Sequence, residues 1–130
     1  MHKRFLAIAA ISGGLAVALG AFGAHGLERI TTDEKILQGF RTGVQYQMYH
    51  ALALLIIAGL YDKFPQPSIK WAANCFIAGI ILFSGSLYLL TFFKIQESGA
   101  VKFAGPVTPL GGVFLILGWV FLLAAAIRKT

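Results

Sequence analysis

The chain has 130 residues, of which 58% are apolar and only 12% charged, with a formal net charge of +6. One domain of this size cannot hide so much apolar surface from water, because small domains bury the smallest fraction of theirs, so a water-soluble fold is excluded and lipid is the expected solvent. A single cysteine, Cys75, excludes an internal disulfide framework, and the basic residues flank apolar runs instead of clustering, which argues against a nucleic-acid partner.

Stretches free of Asp, Glu, Lys and Arg predict four membrane-spanning helices, approximately 5–24, 44–61, 71–93 and 106–127, in a single all-α domain. A span needs about 20 apolar residues to cross a hydrocarbon core about 30 Å thick. The first run follows His2, Lys3 and Arg4 and ends near Ala21-Phe22-Gly23, a pattern shared with signal peptides. It is longer than a signal peptide's apolar region, so it is expected to be retained as a span. It carries Ser12, Ala16, Gly20 and Ala24 at successive i+4 positions, the small-residue pattern that lets membrane helices approach closely.

The loop 25–43 is not featureless. Thr31 and Glu34 fit a capping box, and Ile36, Leu37, Phe40 and Val44 recur at helical spacing. A short amphipathic helix on the outer surface is expected there, leading to the second span, with Gly39 and Gly43 able to bend it. The second span opens with Gln45, Gln47 and His50, which must find partners in neighbouring helices. Pro65 and Pro67 predict a tight turn before the third span. Gly85 in the third helix, and Gly111 with Gly118 in the fourth, predict further packing positions of a compact four-helix bundle. Pro106 and Pro109 stand at the start of the fourth helix, where proline is tolerated.

With the N-terminus inside, Lys3, Arg4, Lys63, Lys70, Arg128 and Lys129 fall in the shorter inner segments. The longer outer ones hold Arg29, Lys35, Arg41, Lys94 and Lys102. The higher inner density of basic residues predicts both termini in the cytoplasm.

Several runs resemble a known family. They are Gly20-Ala21-Phe22-Gly23-Ala24-His25-Gly26-Leu27, the segment from Thr42 to Ala53, Phe83-Ser84-Gly85-Ser86-Leu87-Tyr88, and Gly105-Pro106-Val107-Thr108-Pro109-Leu110-Gly111-Gly112. In this order they resemble the small four-span membrane proteins grouped as DUF423 (UPF0382). The resemblance implies the four-span architecture and a bacterial inner-membrane location. It lends no activity, catalytic residue or cofactor.

The polar residues within or beside the spans are the candidates for function: His25, Gln45, Tyr46, Tyr49 and His50. Antiparallel first and second helices would bring His25 and His50 together in the outer half, with Tyr46 and His50 on one face. Such a cluster is either a buried site for a proton, a metal or a quinone-like head group, or a hydrogen-bonded clamp between helices. Two histidines without a third ligand make a poor metal site, and no span holds a carboxylate to act as a base. The clamp is therefore the expected role, with no catalytic residue, metal or cofactor. His2 is expected in solvent. Ser84, Ser86 and Thr91 are expected to bond to carbonyls of their own helix. Function is expected to come from self-association or from a place in a larger membrane complex. An oligomeric channel or transporter is the alternative, and a redox or enzymatic subunit comes third.

Overall fold

His2 starts the first helix, α1 (Lys3–Ile30), in the computed structural model, which describes residues 1–64 and 66–128. Its Nδ1 accepts the Phe5 N–H at 3.2 Å, and its ring lies against Phe5 and Tyr61 with centroids 4.0 and 4.5 Å away. This histidine is therefore a packed cap, not a solvated terminal residue. Capping satisfies one of the N–H groups that a helix start leaves without partners.

Helix α2 (Glu34–Leu60) is capped by Asp33, whose carboxylate accepts the Lys35 N–H at 3.0 Å. The expected capping residue, Thr31, instead closes α1 through its own N–H to the Leu27 carbonyl, while its hydroxyl accepts the Asp33 N–H. With so short a link between helices, Thr31 serves the end of one and Asp33 the start of the next. The amphipathic stretch is helical and runs without a break into the second span, so neither Gly39 nor Gly43 interrupts it. Each added residue of an existing helix gains a backbone bond without a new nucleus, which favours continuation. Outside the apolar zone Arg41 donates to Glu34 at 2.9 Å and to Glu28 at 3.1 Å. Exposed pairs of this kind contribute about 0–1 kcal/mol each, so they align the hairpin more than they stabilise it.

The third span has three parts: α3 (Gln66–Gly79), a π turn (Ile80–Ser84) and α4 (Gly85–Ile95). Pro67 sits in the first turn of α3, where a missing N–H breaks no bond. Pro65 lies outside the described residues. In the π turn the Gly85 N–H reaches the Ile80 carbonyl, five residues back. After α4 the chain closes through Glu97, whose φ of 54° is in the left-handed region, with the Ser98 N–H donating to the Phe93 carbonyl at 2.9 Å. Glycine normally holds this position because any Cβ is crowded there. Glu97→Gly is expected to raise stability by about 1 kcal/mol, read as a higher denaturant midpoint in mixed micelles. The polar loop that follows contains one helical turn, α5 (Val101–Ala104), before α6 (Val107–Ile127).

Four helical segments, Lys3–Ile30, Glu34–Lys63, Pro67–Ile95 and Val101–Ile127, are long and apolar enough to cross a membrane. The first runs about 40 Å at 1.5 Å per residue, so it must tilt or project beyond the hydrocarbon. Helix α1 packs chiefly along α2, and α6 along α3 and the π turn; α2 joins these two pairs by packing on the third span. The main core gathers Phe5, Leu54, Ile57, Ile69, Phe76 and Leu115, and a smaller one at the other end holds Leu27, Leu37 and Phe40.

Glycines set the closest approaches. A Cβ on Gly111 would stand 2.2 Å from the Phe83 backbone nitrogen, and one on Gly118 would stand 2.5 Å from the Phe76 ring. On α1 the buried stripe is Phe5, Ala9, Ser12, Ala16, Gly23 and Leu27. Steps of four alone drift about 40° each around a helix, so Ser12, Ala16 and Gly20 face α2 but Ala24 has turned outward and Gly23 takes its place. Gly85 meets no neighbour within 4 Å and lines a lipid-facing groove instead of a helix contact.

Candidate functional site at mid-depth

Gln47 is the central residue of α2 (Glu34–Leu60), and its two amide ends tie three helices together. Its Nε2 donates to the Ser12 carbonyl of α1 at 2.8 Å, and its Oε1 accepts the Tyr88 hydroxyl of α4 at 2.7 Å. The Tyr88 ring lies over Gly43, where a Cβ would come within 2.9 Å of it. Ser84, at the end of the π turn, donates to the Gly43 carbonyl at 2.6 Å, across to α2 and not back to its own helix. Ser86 and Thr91 do bond back, to the Phe83 and Leu87 carbonyls, and Ser86 also meets Thr108. Gly43, Gln47, His50, Leu54 and Ile57 form one buried stripe on α2, spaced alternately by four and three.

His50 is engaged at both ring nitrogens. Nδ1 lies 2.7 Å from the Tyr46 carbonyl, and Nε2 lies 3.1 Å from the Trp119 Nε1 of α6. A carbonyl can only accept and an indole N–H can only donate, so the proton sits on Nδ1 and the ring is neutral. Neither nitrogen is left for a metal. Among the described residues no three His, Cys, Asp or Glu side chains gather as a metal-binding group.

The five candidate residues do not form one cluster. Tyr46, Tyr49 and His50 border a lateral cleft of about 590 Å³ between α2 and α6. Gln45 faces a separate hollow with Gly20, Phe40 and Arg41, and His25 is exposed near the end of α1. Gly20 packs on Val44 and Gly23 on Phe40, so the register places His25 about 17 Å along the axis from His50. The cause is the length of α2: it starts at Glu34, ten residues before the apolar run, and this puts His50 near its middle. Tyr88 and Trp119 complete the polar contacts and were not legible as partners. The i+4 pairing of Ser84 with Tyr88 on one helix face is the signal that could have found the first.

A second opening, about 360 Å³, separates α1 from the third span and is lined by Ile8, Ile11, Ser12, Gln47, Ile80 and Tyr88 among others. The Ser12 hydroxyl is buried at its edge with no hydrogen-bond partner among the described residues. Ser12→Ala removes that orphan and leaves the carbonyl that Gln47 uses. It is expected to be neutral or stabilising by up to about 1 kcal/mol in a micellar unfolding titration. Neither opening is lined by Asp, Glu, Lys or Arg.

Four helices long and apolar enough to span a bilayer, tied together by side-chain hydrogen bonds of Gln47, His50 and Ser84, define a multi-pass helical membrane protein. The chain belongs to the family described as protein of unknown function DUF423, which it matches over residues 19–112. It is 49% identical over 127 residues to the UPF0382 membrane protein YwdK of Bacillus subtilis (strain 168), covering 97% of this chain and 98% of that one. It is 42% identical over 126 residues to a UPF0382 membrane protein of Staphylococcus aureus (strain bovine RF122 / ET3-1), covering 97% of each. A Haemophilus influenzae UPF0382 membrane protein is 41% identical over 125 residues, covering 94% of this chain and 92% of the relative. No solved structure matches the chain.

Proposed function

We propose that this protein acts without catalysis, by lateral association with further copies of itself through α1. The observation that carries this reading is that α1 has two opposite small-residue faces. One lies against α2. The other, Ala7, Ala10, Gly14, Ala18 and Ala21, is exposed, and nothing lies within 4 Å of a Cβ on Gly14. These five positions fall within about 80° of one another around the helix, on the side away from Ala9, Ser12 and Ala16. Membrane helices associate through such surfaces by close backbone contact, since lipid supplies no hydrophobic drive.

The setting is the bacterial inner membrane with both termini cytoplasmic. The basic density of the inner segments supports this, as does the exposed Trp71 at that end. Single cysteines placed on a Cys75→Ala background test the contact. Gly14→Cys is expected to form an intermolecular disulfide in native membranes, while Ile116→Cys on α6 stays reduced. Equal cross-linking at both positions would reduce the contact to random collision.

A further inference from the structure

We propose that the cleft at the start of α3 binds an anionic phospholipid, with its phosphate at Lys70 and its glycerol esters at Asn74. This site is separate from the association face on α1 and does not rest on it. The cleft, about 540 Å³, is lined by Tyr61, Pro67, Lys70, Trp71 and Asn74. Pro67 and Trp71, and likewise Lys70 and Asn74, are four residues apart, so these side chains share one exposed face of α3.

Charge sets the depth of that face. Lys70 and Lys94 bracket the charge-free run of the third span and stand about 36 Å apart along it. The hydrocarbon core is about 30 Å thick, so Lys70 falls at its edge and Asn74, one turn on, lies about 6 Å further in. The same rule puts Arg41 and Asp62 at opposite edges along the second span, about 31 Å apart, in keeping with the exposed ion pairs of Arg41. Trp71 is 59% exposed, and its ring stacks along Phe121 at 6.2 Å between centroids. An amphipathic ring takes this place at a membrane edge.

The lining selects the ligand chemistry. The Lys70 ammonium, the Trp71 N–H and the Asn74 amide have no hydrogen-bond partner among the described residues. Water reaches the ammonium, which can extend toward the surface, but hydrocarbon offers nothing to an amide one turn deeper. A phospholipid supplies acceptors in the matching order, phosphate oxygens at the edge and ester carbonyls below them, with its tails on the apolar surface beyond. A soluble anion does not enter to the depth of Asn74. No acid lines the cleft, so the ammonium of a zwitterionic head group finds no counter-charge. The charge around it favours an anionic one. At this end of the bundle Lys3, Arg4, Lys63, Lys70 and Arg128 meet a single acid, Asp62, whereas at the other end Glu28, Asp33, Glu34 and Glu97 nearly balance the basic residues. Lys3 follows His2, whose ring lies 4.5 Å from that of Tyr61, and Lys63 comes two residues after Tyr61. Basic pockets between helices at the membrane surface take anionic head groups in this way.

The test is quenching of Trp71 fluorescence in phosphatidylcholine vesicles, in a Trp119→Phe background that leaves Trp71 the sole tryptophan. Phospholipids with brominated tails are the probe, since bromine quenches an indole on contact. Brominated phosphatidylglycerol is expected to reach half its quenching at a mole fraction about fivefold below that of brominated phosphatidylcholine. Lys70→Gln is expected to abolish that difference. Asn74→Phe removes the amide and fills the inner half of the cleft, and is expected to do the same. Arg4→Gln removes one charge from the same end outside the cleft and is expected to keep the difference. Circular dichroism confirms that each variant is folded. Equal mole fractions for the two lipids overturn the proposal. A difference that either cleft variant leaves intact, or that Arg4→Gln reduces as much as Lys70→Gln, is surface charge alone and also overturns it. Loss of the difference on adding inorganic phosphate at constant ionic strength would make this a site for a soluble anion, and overturns it equally.

Discussion

Gly111→Ala is expected to destabilise the protein by about 3 kcal/mol, the upper range for forcing volume into a packed contact. The added Cβ would lie 2.2 Å from the Phe83 nitrogen and 2.6 Å from its Cα. Both are backbone atoms of the π turn, so no side chain can rotate away, and α6 must separate from the third span. The neighbouring Gly112→Ala supplies the control: its Cβ would meet only ring atoms at 3.8 Å, ordinary contact, and should leave stability unchanged. Reversible unfolding in mixed micelles measures both. Equal midpoints for the two variants would mean that α6 is not seated on the π turn.

Gln47→Leu should destabilise by about 2 kcal/mol. Hydrogen bonds between membrane helices contribute about 0.6 kcal/mol on average and up to about 1.7, and this change removes two, leaving the Tyr88 hydroxyl with Ser84 alone. The effect should not add to that of Tyr88→Phe. Once Gln47 is gone the phenol no longer ties α4 to α2 through it, so the double variant is expected to lose about 1 kcal/mol less than the sum of the singles. Strict additivity in that cycle would show that the two side chains do not share a bond.

The spans were legible because lipid imposes a simple rule on charge and length. Their ends were not, since helix ends answer to capping instead of hydropathy. Glu28 and Arg29 are polar enough to look like loop, yet α1 continues through them to Ile30, and the amphipathic stretch that Asp33 starts is the first part of α2 instead of a separate surface helix. Gly111 and Gly118 were legible as a pair because a step of seven returns to nearly the same face, and both press on the third span. Gly85 was not. The π turn takes one extra residue, rotating everything after it by about 100°, and no local feature of Ile80–Ser84 announces that turn. In the candidate site, Tyr46 and His50 were legible at i+4 spacing. Trp119 was not, because its partnership with His50 depends on how two spans far apart in sequence align in depth. The register of α1 on α2 separates His25 from His50.

The most direct test of the association reading is native mass spectrometry of the protein released from bilayers in mild detergent, alone and as Gly14→Leu/Ala18→Leu. Both positions are exposed, and a Cβ at Gly14 meets nothing, so the protomer's own stability should not change. The wild-type chain is expected as a homo-oligomer. The double variant is expected as a monomer, with association weakened at least about tenfold, or about 1.4 kcal/mol. A monomeric wild-type chain, an oligomer indifferent to the substitutions, or a stoichiometric foreign subunit in place of a second copy would each contradict self-association through α1.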